Sequence, residues 1–182
     1  MIAIVHKLKV TQMSYGLYVV VLSMLLAISA HIQVPFLYVP VTMQTLAVIL
    51  IGGLVSPRVA LATVGAYLLE GFFGLPVFAY GGGSGYLMGP TGGYLFGMLI
   101  AAPVCSWLNN SPSHNHFLAS LRASAMTVLL INVCGLIWLT HTFGFISAVL
   151  FGVTPFVAVE FVKMLIGTVA LWSIRTSGLR NL

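Results

Sequence analysis

Long apolar runs alternate with short polar or glycine-rich connections along most of the chain, and this pattern predicts membrane-spanning helices. A hydrocarbon core about 30 Å thick requires roughly 20 apolar residues for each helical span. Six segments approach that length: 15–30, 42–55, 59–78, 91–108, 123–140 and 156–174. The second is short, and it crosses a bilayer only if the bilayer thins or if residues around Tyr38 extend it.

A further apolar stretch, 143–153, does not fit the same description. It is about half as long as a span requires, and Gly144 and Gly152 interrupt it. We therefore expect an outer loop or a re-entrant piece here rather than a seventh span.

Composition agrees with the pattern of apolar runs. Hydrophobic residues make up 60% of the 182 residues and charged residues only 5%, whereas soluble domains carry roughly 25% charged residues. Six spans account for most of such a chain. The sequence therefore predicts an all-α integral membrane protein with about six transmembrane helices, forming a single transmembrane domain over residues 1–182.

The basic residues predict an orientation in the membrane. If the N-terminus lies in the cytoplasm, every basic residue of a loop or terminus falls on the inner side: Lys7, Lys9, Arg58, Arg122, Arg175 and Arg180. The three outer connections, 31–41, 80–90 and 141–155, contain no charged residue. We expect a multi-pass protein of the cytoplasmic (inner) membrane with both termini in the cytoplasm. Because the basic residues are scattered singly, no nucleic-acid partner is expected.

Two ionisable residues lie within the last predicted span. Glu160 and Lys163 are three residues apart and therefore share one helix face. Each costs roughly 2.5–3.5 kcal/mol at mid-membrane on insertion scales, so we expect them to be paired and to face a cavity or the protein interior. A structural ion pair and a ligand site both satisfy that expectation.

Glu70, near the outer end of the third span, should lie level with this pair. It either reaches the interface or caps a helix, or it contacts a ligand. Gln44 and Thr45 begin the second span as polar groups in an apolar setting, so they also need partners. Helix capping and ligand contact are both open for these two residues.

The connection at 80–94 is rich in glycine, which permits turns and close backbone approach to a ligand. It lacks the Gly-Lys-Ser/Thr ending of a phosphate-binding loop. Tyr80, Ser84 and Tyr86 are placed to close over a site, with aromatic faces for an apolar ligand and hydroxyls for its polar ends. In the first span, Ser23 and Ala27 form a small-xxx-small face suited to packing against a partner helix or an internal one.

Catalysis is poorly supported because the chain has only two acidic residues. Neither a Ser/His/Asp set nor a Cys/His set can be assembled, and no cluster has the spacing of metal ligands. We expect no catalytic residue, no metal and no cofactor.

Three motifs together resemble those of the BioY family. They are Val-Pro-Val-Thr-Met-Gln-Thr-Leu at 39–46, Gly-Leu-Pro-Val-Phe at 74–78 and Gly-Pro-Thr-Gly-Gly-Tyr-Leu at 89–95. The acidic-x-x-Lys pattern of the last helix extends the resemblance over nearly the whole chain. The members of that family are the biotin-specific S components of energy-coupling factor (ECF) transporters.

The resemblance implies a six-helix S-component fold that captures biotin from the outer side beneath a loop that acts as a lid. A transmembrane T component and two ATPases would be its partners. The family commonly has Asp where this chain has Glu160, so the charge is kept but its reach is longer. The expected ligand-binding residues are Glu160, Lys163, Gln44, Thr45, Tyr80, Ser84, Tyr86 and Glu70. Glu160 would accept from the ureido group of biotin, and Lys163 would pair with Glu160 or donate to the ligand.

Two other functions remain open. A self-sufficient secondary transporter would use Glu70 or Glu160 to carry a proton, as intramembrane carboxylates often do. An intramembrane enzyme acting on a lipid or a vitamin would need more acids, bases or metal ligands than the chain contains.

Overall fold

Helices dominate the computed structural model of the chain, which describes residues 12–36 and 38–177. The helices are α1 (Gln12–His31), α2 (Gln44–Leu54), α3 (Pro57–Phe72), α4 (Ser84–Leu87), α5 (Gly92–Asn110), α6 (His116–Phe143), α7 (Phe145–Gly152) and α8 (Val157–Thr176). Two short strands, β1 (Gln33–Val34) and β2 (Val41–Thr42), pair antiparallel between α1 and α2. The all-α prediction is confirmed, and α1, α2, α3, α5, α6 and α8 correspond to the six predicted segments.

The six longer helices differ in how they suit a membrane. By length and hydropathy, α5, α6 and α8 are able to cross one, whereas the part of α1 from Tyr15 onward and α2 are apolar but shorter. The 11 residues of α2 rise about 16 Å, or roughly half the thickness of a hydrocarbon core. The shortness predicted for the second segment is therefore a real feature of the fold.

The third helix ends earlier than its apolar run. That run continues to Phe78, but α3 stops at Phe72 because Gly74 adopts a positive φ of 92° and Pro76 follows it. The chain then folds back on itself, and the Gly83 amide donates to the Gly71 carbonyl at 2.7 Å. Residues 73–83 consequently lie over the end of α3 instead of extending it.

The stretch predicted as a loop or re-entrant piece contains a short helix. Gly144, with φ of 82°, separates α7 from the end of α6. The eight residues of α7 span only about 12 Å at 1.5 Å per residue. This segment is therefore helical, whereas a loop or re-entrant piece was expected. As predicted, it is too short to span a membrane.

Helices α5 and α6 pack closely through the glycines of α5. A Cβ atom added at Gly93 would lie 2.2 Å from Cβ of Trp138, and one added at Gly97 would lie 3.0 Å from Cα of Ile131. A side chain at Gly93 would clash with α6, and one at Gly97 would require α6 to shift, so glycine favours the close approach of the two helices. The small-xxx-small pattern at the start of α5 thus serves helix packing.

The helix termini define two ends of the bundle, which we call the upper and lower ends. The upper end gathers the C-terminal ends of α1, α3 and α6 with the N-terminal ends of α2, α5 and α8. At the lower end, Arg175 of α8 donates to the Asn109 carbonyl of α5, and the Asn109 side chain donates to the Gly53 carbonyl of α2 at 2.9 Å. Arg58 and Arg122 belong to the lower halves of their helices, whereas Lys7, Lys9 and Arg180 lie outside the described residues.

Candidate ligand-binding site

A cavity lies between the helix ends at the upper end of the bundle. It encloses about 510 Å³ of space between atoms, part of which is open to the outside. Its lining includes Thr42, Gln44, Thr45, Tyr67, Phe78, Tyr86, Thr91, Tyr94, Asn132, Phe156 and Glu160. Aromatic rings and a few polar groups therefore share the walls, as is usual for sites that bind a small, mostly apolar molecule.

The polar wall of the cavity is formed by an ion pair on α8. Glu160 and Lys163 are 6% and 3% exposed, and Nζ of Lys163 lies 2.6 Å from Oε1 of Glu160. Lys163 also donates to the Thr42 carbonyl at 2.6 Å, and the Thr45 hydroxyl donates to the same Oε1 at 3.2 Å. These bonds fix the carboxylate in one position against α2.

The second oxygen of this carboxylate has no hydrogen-bond partner in the described structure. Within the described part of the chain, five buried side-chain oxygens have no hydrogen-bond partner, and Oε2 of Glu160 is one of them. The other four belong to Gln33, Thr63, Asn110 and Ser124, none of which lines the cavity. A buried polar atom without a partner is costly, so Oε2 marks the place where a bound molecule would donate a hydrogen bond.

A chain of hydrogen bonds links α2 to the segment above α3. The Thr42 hydroxyl donates to Oε1 of Gln44 at 3.2 Å, and Nε2 of Gln44 donates to the Tyr67 hydroxyl at 2.8 Å. The Tyr67 hydroxyl in turn donates to the Val77 carbonyl at 3.2 Å. The Thr42 carbonyl also accepts a hydrogen bond from Lys163. This series of hydrogen bonds therefore connects the ion pair to the residues that cover the cavity.

Aromatic rings form the apolar walls. Phe78 and Tyr86 stack with centroids 4.9 Å apart and planes at 23°, and Tyr67 meets Phe78 edge to face at 5.3 Å. On the opposite wall Tyr94 and Phe156 stack at 6.0 Å. Burial raises the pKa of Tyr86 above its ordinary value, so its phenol is neutral at physiological pH and serves as donor or acceptor without bringing a charge.

The residues predicted as ligand contacts divide into two groups. Gln44, Thr45, Tyr86 and Glu160 line the cavity, and Lys163 lies directly behind Glu160. Tyr80, Ser84 and Glu70 do not line it. Their roles, like those of the first group, stay predictions.

The residues outside the cavity have identifiable positions. Tyr80 is 56% exposed, and Ser84 is exposed at the start of α4. Glu70 accepts a hydrogen bond from the fully buried Ser23 at 2.8 Å, which ties α3 to α1. Ala27 packs partly buried against the core. The helix face formed by Ser23 and Ala27 therefore packs within this chain. Packing against an internal helix was one of the two predicted possibilities, beside packing against a partner helix.

Sequence reasoning missed several cavity residues, chiefly Tyr67, Tyr94, Asn132 and Phe156. The aromatic residues are hidden inside apolar runs, where any aromatic residue fits the helix pattern. Asn132 carried a signal, since it is an amide in the middle of a long apolar helix and such groups in membranes seek partners. Within the described residues, no three His, Cys, Asp or Glu side chains come together as a metal site would require.

Apolar helices around one cavity, with an ion pair at its polar wall, define a multi-pass membrane protein with a candidate small-molecule site. A solved structure described as the S-component for biotin from an ECF-type ABC transporter superposes with a TM-score of 0.76, covering 91% of this chain and 92% of that chain at 23% identity. The BioY family model matches residues 5–179. The chain belongs to the BioY family.

Curated relatives extend the family assignment. A probable biotin transporter BioY of Pyrococcus horikoshii is 35% identical over 76% of this chain and 82% of that protein. The biotin transporter BioY2 of Lactococcus lactis is 36% identical over 80% and 81%, and the BioY of Thermotoga maritima is 34% identical over 78% and 84%. The resemblance found in the sequence is confirmed.

Proposed function

We propose that this chain is the biotin-binding S component of an energy-coupling factor transporter and holds the vitamin in the cavity at the upper end. The observation that carries the proposal is Oε2 of Glu160, a buried acceptor without a partner in the described structure, on a residue that lines a cavity together with aromatic, aliphatic and polar side chains. The ureido ring of biotin offers N–H donors, and its thioether ring and chain offer apolar surface. The names of the relatives point to the same ligand.

Electrostatics favours one orientation of biotin in the cavity. The ureido group approaches Glu160, because a carboxylate oxygen accepts hydrogen bonds but does not donate them. The carboxylate of biotin is repelled by Glu160 and so points away, toward the mouth of the cavity. There the exposed Tyr80 and Ser84 at the glycine-rich connection have hydroxyls to donate.

The glycine-rich connection then acts as the lid. Gly81 and Gly83 adopt positive φ values of 129° and 101°, a region that favours glycine. Residues beyond them, including Tyr86, reach the cavity. A ligand that touches both Glu160 and Tyr86 favours the closed arrangement by its greater affinity for that state.

The orientation in the membrane follows from the arginines. Arg58 and Arg175 belong to helix ends opposite the cavity, and an excess of basic residues marks the cytoplasmic side. The cavity therefore opens outward in a cytoplasmic membrane, with both termini inside. A transmembrane T component and two ATPase subunits would couple ATP hydrolysis to release on the inner side.

The first experiment measures biotin binding by the purified protein in detergent, with riboflavin and thiamine as competing vitamins. The test variant is Glu160→Gln and the matched control is Glu70→Gln, because both remove one carboxylate charge near the upper end of the bundle. Charge-assisted hydrogen bonds contribute about 1.5–3 kcal/mol, so Glu160→Gln should weaken biotin binding by roughly 100-fold. Glu70→Gln should bind as the unaltered chain does.

Three results would contradict the proposal or a part of it. A folded, monodisperse protein that does not bind biotin would disprove the assigned ligand. Full affinity in Glu160→Gln would show that the ligand lies elsewhere. Uptake into cells that persists after ATP depletion but collapses with the proton gradient would contradict the partner assignment while leaving the biotin site intact.

A further inference from the structure

Asn132 is the one amide side chain of α6 that lines the cavity, at a level of the helix where its neighbours are apolar. The preceding residue, Ile131, is buried in the protein, and the following residue, Val133, is exposed on the outer surface of the helix. Asn132 itself is half-buried. An amide in such surroundings is unfavourable unless both its donor and its acceptor are satisfied.

Within the described structure, the protein supplies a partner for one N–H of this amide and none for its oxygen. Nδ2 of Asn132 donates to the Val128 carbonyl one turn earlier at 2.9 Å. Its Oδ1 accepts no hydrogen bond from the described residues, and it is not among the buried unpartnered atoms, so it remains accessible. An accessible oxygen on a residue that lines a cavity is a binding group for whatever fills the cavity.

Two hydroxyls of the same cavity cannot supply the missing donor because their hydrogens are already used. The Thr45 hydroxyl donates to Glu160, and the Tyr94 hydroxyl donates to the Gly152 carbonyl at 2.6 Å. Helices α6 and α8 pack against each other, so Asn132 and Glu160 face the same cavity from adjacent helices. This side of the cavity therefore presents two acceptors, Oδ1 and Oε2, and calls for a ligand with two donors.

We propose that Asn132 is a second ligand contact, whose Oδ1 accepts one ureido N–H of biotin while Oε2 of Glu160 accepts the other. The inference rests on the proposed function, because the ureido ring is the part of biotin with two N–H groups. A cyclic urea matches a pair of acceptors on one wall, whereas a ligand with a single donor leaves one of them unsatisfied. Asn132 thus helps the site to select biotin over molecules that lack the second donor.

The test compares Asn132→Ala with Thr127→Val as a matched control. Thr127 lies on the same helix and likewise donates to the carbonyl four residues earlier, at 2.8 Å, but it does not line the cavity. Binding is measured for biotin and for two analogues, each methylated at one of the two ureido nitrogens. In the unaltered chain each methyl group removes one donor, so both analogues should bind roughly tenfold more weakly than biotin.

Asn132→Ala should weaken biotin binding roughly tenfold and should abolish the penalty for one of the two methylated analogues while retaining it for the other. Thr127→Val should leave all three affinities unchanged. A purely structural role for Asn132 would lower the affinities for all three ligands alike. If Asn132→Ala is not monodisperse, Asn132→Leu, which keeps the side-chain size, is measured in the same way.

Unchanged biotin affinity in the folded variant, or equal penalties for both analogues, would overturn the assignment of Asn132. In either case tight biotin binding by the unaltered chain would leave the proposed function standing. Absence of biotin binding by the unaltered chain would overturn the proposed function together with this inference. The two failures are therefore distinguishable in one set of titrations.

Discussion

The two acidic residues of the chain both lie near the upper end of the bundle, yet their surroundings differ. Glu160 is 6% exposed, is paired with Lys163 at 2.6 Å and lines the cavity with one oxygen unpartnered. Glu70 is half-buried, accepts a hydrogen bond from Ser23 and does not line the cavity. Within the described residues it forms no ion pair.

The difference teaches how a membrane protein uses a carboxylate. Glu70 accepts a hydrogen bond from a neutral donor on a neighbouring helix, and this bond joins α1 to α3. Glu160 has a charged partner and a hydroxyl on one oxygen only. That arrangement leaves the other oxygen without a partner in the described structure. Both residues lie near the upper end of the bundle, and they differ in their hydrogen-bond and ion-pair partners.

Removal of Lys163 should have the largest effect on this contrast. Lys163→Met leaves Glu160 buried without its counter-ion, and breaking a buried pair in this way costs about 3–5 kcal/mol. We expect a lower apparent melting temperature in detergent together with loss of biotin binding. The measurement is a thermal unfolding curve paired with a biotin titration.

The double variant Glu160→Gln/Lys163→Met separates stability from binding. Without either charge no buried ion is left unpaired, so the melting temperature should recover most of its loss. Biotin binding should not recover, because the acceptor carboxylate is gone. Recovery of both properties would mean that the pair only locks α8 against α2.

A smaller effect is expected when the hydrogen-bond chain above the cavity is interrupted. Tyr67→Phe removes the hydroxyl that accepts from Gln44 and donates to Val77, which frees the segment that leads to Phe78. We expect biotin to dissociate about tenfold faster, whereas its association rate changes little, because most changes at one interface appear in dissociation. Stopped-flow binding in detergent measures both rates.

Tyr94→Phe is the appropriate control for that measurement. The Tyr94 hydroxyl also lines the cavity, but it serves the Gly152 carbonyl of α7 and not the connection over the site. Its loss should therefore alter the dissociation rate less than the loss of the Tyr67 hydroxyl. Equal rates in both variants would show that the bond to Val77 does not hold the lid.

Much of the fold was predictable because the membrane restricts a sequence so strongly. Apolar runs located all six longer helices, and the length of 42–55 correctly indicated that α2 is short. The end of α3 was not predicted, since Phe73 and Leu75 continue the apolar run. The backbone stops being helical at Gly74, where φ is positive, and hydropathy does not register that change.

The candidate site was predictable in its charges and less so in its aromatic walls. Glu160, Lys163, Gln44 and Thr45 are polar residues in apolar surroundings, and the structure brings all four together. Tyr67 and Tyr94 look like ordinary helix residues in the sequence, because their position in the cavity depends on how α3 and α5 are rotated. The contact of Glu70 with α1 was not predicted, because the sequence does not show which helix this residue faces.

The smallest expected effect belongs to Glu70→Gln, and it distinguishes the two transport mechanisms. The amide oxygen still accepts from Ser23, so the contact between α1 and α3 persists and the cost in stability should stay within about 1 kcal/mol. In an S component driven by ATPases, biotin uptake by cells that produce this variant should equal that of the unaltered chain. A proton-coupled transporter that used Glu70 as its carrier would lose uptake, since an amide does not release a proton. Vitamin uptake with equal amounts of the two proteins in the membrane decides between these outcomes.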